Sequence, residues 1–184
     1  MSERVYSEII ISGFGGQGII LNGNIMGKAA AIYDRKNATL VQSYGPEARG
    51  GACSAHIIVS DDTISYPYVQ NPNILISMSR EGYENNIGSL RENGLLLTDS
   101  DLVSQRETEK TYLSYSVPAT RIAEKLGKKM IANIVMLGFL ASLSKIVTTD
   151  SLKKAIEDSV PKGTEELNLK AFESGYAYGK KEIQ

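Results

Sequence analysis

Ile9-Ile10-Ile11-Ser12-Gly13-Phe14-Gly15-Gly16-Gln17-Gly18 is the stretch that decides the fold class. A β-branched triplet running into glycine reads as a short buried strand. The segment 17–33 that follows has helical spacing, with Gly23 and Gly27 one turn apart ahead of Ala30 and Ala31. Small residues on one stripe let such a helix lie close against a sheet. Strand, glycine loop and helix together form the opening unit of an α/β protein. Further out, 39–43 reads as the next strand, and 52–60 alternates, with Cys53, Ala55, Ile57 and Val59 on one side and Ser54, His56 and Ile58 on the other. Short apolar runs at 74–76 and 95–97 and a segment at 111–117, stopped by Pro118, supply three more strands. Helices are expected at 120–126 with Gly127 as C-cap, at 131–143 on an almost wholly apolar stretch, at 151–159 capped by Asp150 and ended by Pro161, and at 164–180. The short connection between 39–43 and 52–60 favours antiparallel pairing. The expectation is a three-layer α/β/α sandwich with a mixed, mostly parallel central sheet, a single domain over residues 1–184.

Composition removes several classes of function. Twenty Lys and Arg against 21 Asp and Glu leave a formal net charge of −1, so no basic excess exists to displace counterions from nucleic acid. The longest apolar stretch, 130–143, is broken by Asn133 and falls short of the ~18 residues that a membrane span requires. The amino-terminal residues MSERVYSE carry no apolar segment of the signal-peptide kind, and a cytoplasmic protein is expected. One cysteine, Cys53, excludes an internal disulfide and any cluster held by this chain's thiolates alone. One histidine, His56, leaves little for a histidine-based metal site or triad.

Two loops carry the chemistry. Nine of the 17 glycines fall within the first 51 residues. Gly13-Phe14-Gly15-Gly16-Gln17-Gly18 satisfies G-x-G-x-x-G, in which glycines let backbone N–H groups approach a phosphate at a helix N-terminus. A dinucleotide site also needs an acid at the end of the second strand. Here that strand ends Ser43-Tyr44-Gly45, with no acid before Glu47, and Asp34 lies at the wrong end. The loop therefore reads as an anion cradle or as a device for tight helix-on-sheet packing, and a nicotinamide dehydrogenase is disfavoured. The second loop, Ser43-Tyr44-Gly45-Pro46-Glu47-Ala48-Arg49-Gly50-Gly51, stiffened by Pro46, presents Arg49, whose planar fork suits phosphate or carboxylate. A solvated Glu47–Arg49 pair on a turn is the plainer reading, worth at most about 1 kcal/mol.

Taken together, GFGGQG after a first strand and SYGPEARGG before an alternating one resemble the gamma subunit of 2-oxoacid:ferredoxin oxidoreductases. The resemblance continues in order through PYVQNPNILISM (67–78), GLLLTDSDLV (94–103), ANIVMLGFLA (132–141) and ELNLKAFESGYAYG (166–179). The SYGPE-x-RGG form is closer to 2-oxoglutarate-type than to pyruvate-type gamma chains. The resemblance implies a subunit of an enzyme that oxidatively decarboxylates a 2-oxoacid to acyl-CoA, carbon dioxide and reduced ferredoxin. It also implies alpha, beta and ferredoxin-like partner subunits, with thiamine diphosphate, Mg2+ and iron–sulfur clusters held on those partners. This chain would be inert alone, with no catalytic residue and no metal of its own, and would help to shape the coenzyme A side of the site. On this reading Gly13, Gly15, Gly16, Gln17 and Gly18 form the cradle for a coenzyme A phosphate, and Arg49 is its charged partner or holds a neighbouring subunit. A stand-alone nucleotide- or phosphate-binding module built on the same glycine loop is the competing reading, and the related indolepyruvate enzymes keep aromatic oxoacids open.

Other residues have plainer explanations. Cys53 on the buried face acts as a small hydrophobe, and a strand His56 is more often hydrogen-bonded than catalytic. Asp99 and Asp101 end a strand, where ligands bind, but turn formation and helix capping account for them equally well. Asn133 inside an apolar helix needs a partner such as a loop backbone. Gly175 and Gly179 cost about 1 kcal/mol each in a helix, which points to close packing on another backbone, for which a partner chain is one candidate. Ten tyrosines without tryptophan agree with ample contact surface.

Overall fold

The computed structural model describes residues 4–44, 51–105 and 111–182. Six strands, β1 (Tyr6–Phe14), β2 (Asn37–Tyr44), β3 (Ala52–Ser60), β4 (Ile74–Ser77), β5 (Leu95–Asp99) and β6 (Leu113–Val117), form one sheet in the order β2-β3-β1-β4-β5-β6. β3 runs antiparallel to both its neighbours, with Ile9 and Leu40 opposite Ile57, whereas β1, β4, β5 and β6 are successively parallel. The sheet is thus mixed and mostly parallel, as the sequence predicts, and the antiparallel pair 39–43 with 52–60 is confirmed.

The helices are α1 (Ile19–Lys28), α2 (Arg80–Asn86), α3 (Ala119–Lys125), α4 (Ala132–Leu143), α5 (Thr149–Glu157) and α6 (Glu165–Glu182). They divide unequally between the two faces. Ile9, Ile11, Ala55 and Ile57 meet the large core, which holds side chains of α1, α3, α4, α5 and α6. Ile10, Leu75 and Leu96, pointing the other way, meet Tyr83 of α2 in a smaller cluster. The period-2 alternation of β1 and β3 serves both faces at once, so each of these strands is buried on both sides.

Several local readings change. The helix expected over 17–33 starts at Ile19 and ends in a π-helical turn, Ala29–Tyr33. Asp150 sits within the first turn of α5, whose cap is Thr148. The Thr148 hydroxyl accepts from the Ser151 N–H, and both hydroxyls are held by the Asp34 carboxylate. Gly175 and Gly179 pack inside the chain, not on a partner. A Cβ at Gly175 would stand 1.9 Å from the Val135 carbonyl oxygen, and one at Gly138 would stand 1.9 Å from that of Phe172. The missing side chains let α4 and α6 approach backbone to backbone. The short polar helix α2 is one that periodicity does not signal.

Candidate functional site

The carboxyl ends of β1, β4 and β5 lie side by side, and the chain leaves β1 for one face of the sheet and β4 for the other. Such a divergence opens a crevice above the strand ends, where ligands of open α/β sheets bind. The glycine loop leads straight into it.

Within that loop the structure separates the glycines by role. Gly13 is the penultimate residue of β1 and is buried, and a Cβ there would meet the Gln17 side-chain oxygen at 2.5 Å and Ile19 at 2.7 Å. Gly18 caps α1 in the left-handed region, at φ 73°, and a Cβ on it would lie 2.4 Å from the Asn133 amide nitrogen. Both are required for the turn itself. The N–H of Gly15 donates to the Gly51 carbonyl at 3.0 Å, and that of Gln17 to the Phe14 carbonyl at 3.1 Å. The Gln17 side chain stitches the loop down. Its oxygen accepts from the Phe14 N–H at 2.7 Å, and its nitrogen donates to the Met78 carbonyl beyond β4 at 2.8 Å. Among the described residues, the exposed Gly16 and the half-buried Gly18 keep backbone N–H groups without a backbone partner, next to the opening turn of α1. Of the five cradle residues, Gly13 serves packing, the Gly15 and Gln17 amides are engaged within the chain, and those of Gly16 and Gly18 have no backbone partner among the described residues.

Beside Gly16 and Gln17 a cleft of about 210 Å³ is closed by Met78, by Thr120 of α3, and by Lys129, Met130 and Ala132 on the approach to α4. Lys129 brings a cation, the buried Met78 and the exposed Met130 apolar surface. Neither was singled out by the sequence, because only the topology brings residues 129–132 to the glycine loop. The volume is below the ~300 Å³ at which small-molecule pockets begin, enough for one arm of a larger ligand. No His, Cys, Asp or Glu lines it. Its ionisable and hydroxyl side chains are Lys129 and Thr120, a cation and a hydrogen-bonding group suited to holding and orienting an anion.

The second loop is only partly in view. Arg49, with Gly45, Pro46 and Glu47, lies outside the described residues. Next to its two stems lies a groove of about 310 Å³, lined by residues of β2, β3 and α2 that include Tyr44, Cys53, Ser54, His56 and Asn85. The His56 Nε2 and Ser54 hydroxyl are hydrogen-bonded at 2.9 Å. Burial pushes the His56 imidazole below its usual range and the Cys53 thiol above its own, so neutral imidazole and thiol are favoured. That suits the hydrogen-bonded and hydrophobic roles expected for them.

Asp99 is fully buried, and its carboxylate accepts from the Thr120 N–H (3.0 Å), the Thr120 hydroxyl (2.7 Å) and the Asp101 N–H (3.1 Å). Burial raises its pKa against those bonds. Asp101 accepts from the Arg121 N–H at 3.0 Å and pairs with the Arg121 guanidinium. Both acids tie β5 to the start of α3 and turn away from ligand chemistry. Asn133 finds the loop backbone it needs, the Gly18 carbonyl at 3.2 Å. Among the described residues no group of three His, Cys, Asp or Glu side chains converges on a point that could hold a metal.

The topology bears on the nicotinamide reading as well. In a dinucleotide-binding sheet the ribose-binding acid stands on the strand beside β1. Here β3 is inserted between β1 and β2 and carries the end of β2 one strand further off, roughly 5 Å.

The pyruvate ferredoxin/flavodoxin oxidoreductase family model matches residues 8–178. The chain belongs to this family. It is 50% identical over 179 residues to 2-oxoglutarate synthase subunit KorC of Methanocaldococcus jannaschii, 96% of each chain being covered. To pyruvate synthase subunit PorC of Methanothermobacter marburgensis it is 32% identical over 174 residues, covering 92% of this chain and 95% of that one. The gamma subunit of a keto/oxoacid ferredoxin oxidoreductase from Geobacter sulfurreducens superimposes with a TM-score of 0.83 at 38% identity, covering 94% of this chain and 98% of that one. The family that the two loops resemble is thereby established, and a stand-alone binding module gains no support. No helix among the described residues is long and apolar enough to cross a membrane.

Proposed function

We propose that the chain, as one gamma-type domain over residues 1–184, is the gamma subunit of a cytoplasmic 2-oxoglutarate:ferredoxin oxidoreductase. The reaction joins 2-oxoglutarate and coenzyme A, releases carbon dioxide, and passes two electrons to ferredoxin with formation of succinyl-CoA. The observation that carries this reading is the match to a KorC subunit at 50% identity along 96% of both chains, against 32% for the pyruvate synthase subunit. The partners are the alpha, beta and ferredoxin-like subunits. Thiamine diphosphate with Mg2+ supplies carbanion stabilisation and iron–sulfur clusters carry the electrons away, both on other chains. A single cysteine in the sequence is too few for a four-thiolate cluster.

This chain's own part is to bind and orient. We assign the Gly16 and Gly18 amides, at the positive end of α1, to a phosphate of coenzyme A, with Lys129 as the nearby cation and Arg49 as a further one. Met78 and Met130 meet an apolar portion of the same ligand. A cleft of about 210 Å³ accepts only part of a coenzyme, so the remaining contacts fall to a partner subunit, and the isolated chain binds coenzyme A weakly.

The test is a pull-down of the natively tagged chain from its own cells, with mass spectrometry and an assay of 2-oxoacid oxidation on the eluate. Thiamine-binding and cluster-bearing subunits should co-elute, with coenzyme A-dependent oxidation of 2-oxoglutarate. A chain that elutes alone and binds nucleotide at submicromolar concentration refutes the proposal.

A further inference from the structure

Two asparagines are buried in the contact between α1 and α4, where apolar side chains would be at home. Asn22 has no exposed surface and Asn133 only 2%. They form a reciprocal clasp. The Asn133 Nδ2 donates to the Gly18 carbonyl at 3.2 Å and to the Asn22 Oδ1 at 3.0 Å, while the Asn22 Nδ2 donates to the Asn133 carbonyl at 2.9 Å. The Gly18 carbonyl is also the first acceptor of α1, taking the Asn22 N–H at 3.0 Å. The left-handed residue that ends the glycine loop is thus held from both helices, and no side chain at position 18 would fit beneath Asn133.

Stability does not explain the arrangement. A buried amide recovers in hydrogen bonds roughly what it loses in hydration, and a well-packed apolar pair of the same shape is usually as stable or more so. The clasp does set a distance. It links Gly18 to the second residue of α4, and the residues on either side of that link, Gly16 and Gln17 on one and Lys129, Met130 and Ala132 on the other, are the two walls of the 210 Å³ cleft. No other side chain-to-backbone hydrogen bond shown among the described residues joins the glycine loop to α4.

We infer that Asn133, with Asn22 as its partner, is a positioning residue that holds the Gly16–Gly18 amides at a fixed separation from Lys129, and so sets the fit of the cleft to coenzyme A. The inference rests on the assignment of the cleft to coenzyme A above. Without the clasp no side-chain hydrogen bond shown among the described residues joins the two walls, and apolar packing does not fix them to a fraction of an ångström.

The test uses the complete multi-subunit enzyme carrying Asn22→Leu with Asn133→Leu, which keeps the side-chain branching and removes all three side-chain hydrogen bonds. The expected result is an assembled complex in which the KM for coenzyme A rises about tenfold, the loss of one well-placed bond to a charged ligand, while kcat and the KM for 2-oxoglutarate stay within about twofold. An unchanged KM for coenzyme A in the assembled double variant overturns the inference. Lys129→Ala separates the inference from the reading beneath it. If Lys129→Ala raises the KM for coenzyme A and the double variant does not, the clasp is packing alone. If neither moves it, the cleft assignment fails and takes the inference with it. Should the double variant not assemble, Asn133→Ala, which removes the bond to Gly18 and leaves Asn22 in place, carries the same test with an expected rise of roughly threefold or more in the same KM, and no rise overturns the inference equally.

Discussion

Replacing Gly138 by Ala separates close helix packing from ordinary helix energetics, because the two predict opposite signs. In an open helix the change gains roughly 1 kcal/mol, since Gly is the poorer helix former. At Gly138 the new Cβ would stand 1.9 Å from the Phe172 carbonyl oxygen, 2.8 Å from its carbon and 3.0 Å from the Tyr176 nitrogen. These are backbone atoms of α6 and cannot rotate away. α6 must retreat by about 1 Å or more before even tight van der Waals contact is restored, and such a gap forfeits much of the dispersion energy along the interface. Overpacking of this kind costs ~1–3 kcal/mol where side chains can yield, and the backbone obstacle puts the net loss at the upper end, about 3 kcal/mol. For a protein of this length that is a fall in Tm of roughly 6–12 °C. Gly27 in α1 is the control, because a Cβ there meets nothing within 4 Å. Gly27→Ala should raise Tm by about 2–4 °C. Thermal unfolding of the two variants, followed by circular dichroism, reads the contrast. A Tm for Gly138→Ala equal to or above the parent refutes the reasoning.

Gln17→Ala removes a bridge between the Phe14 N–H and the Met78 carbonyl, and should cost about 1–3 kcal/mol by chemical denaturation. The same variant should raise the KM for coenzyme A in the assembled enzyme. Burial pushes the Asp34 carboxyl up, but hydrogen bonds from Ser151 and Thr148 outweigh it and hold the group below its ordinary 3.8. Its contribution to stability is therefore complete above pH ~4 and is lost as pH falls through the lower native value, so Asp34→Asn should be less stable at neutral pH and show a shallower acid limb. His56 is lowered from 6.5 by burial, and the unfolded chain takes up a proton that the native state resists. Stability should fall as pH drops below 6.5, and His56→Gln should flatten that limb of the profile. A native His56 that titrates at or above 6.5 by NMR contradicts this.

The fold was readable because β1 and β3 combine a hydrophobic run or alternation with glycine punctuation, and because seven residues between β2 and β3 leave room only for an antiparallel return. The glycine loop was readable as a turn, but not its division of labour. Which amides are spent within the chain depends on Gly51 and Met78, which meet the loop only in three dimensions. The same limit hid Lys129 and Met130. Gly175 was recognised as costly in a helix, yet its counterpart Gly138 lies 37 residues away in an apolar helix, and only the crossing of α4 and α6 joins them. Thr148 in place of Asp150 as the cap of α5 followed from Asp34, which holds the Thr148 and Ser151 hydroxyls from a distant turn.

The central claim, that this chain is the gamma subunit of a 2-oxoglutarate:ferredoxin oxidoreductase, is tested most directly by omission and add-back. The remaining subunits are purified from cells lacking this chain, and coenzyme A-dependent oxidation of 2-oxoglutarate and of pyruvate is measured before and after the purified chain is restored. The account predicts no 2-oxoglutarate oxidation without the chain, and recovery with it, in preference to pyruvate. Full activity in its absence, or recovery with pyruvate alone, contradicts the account.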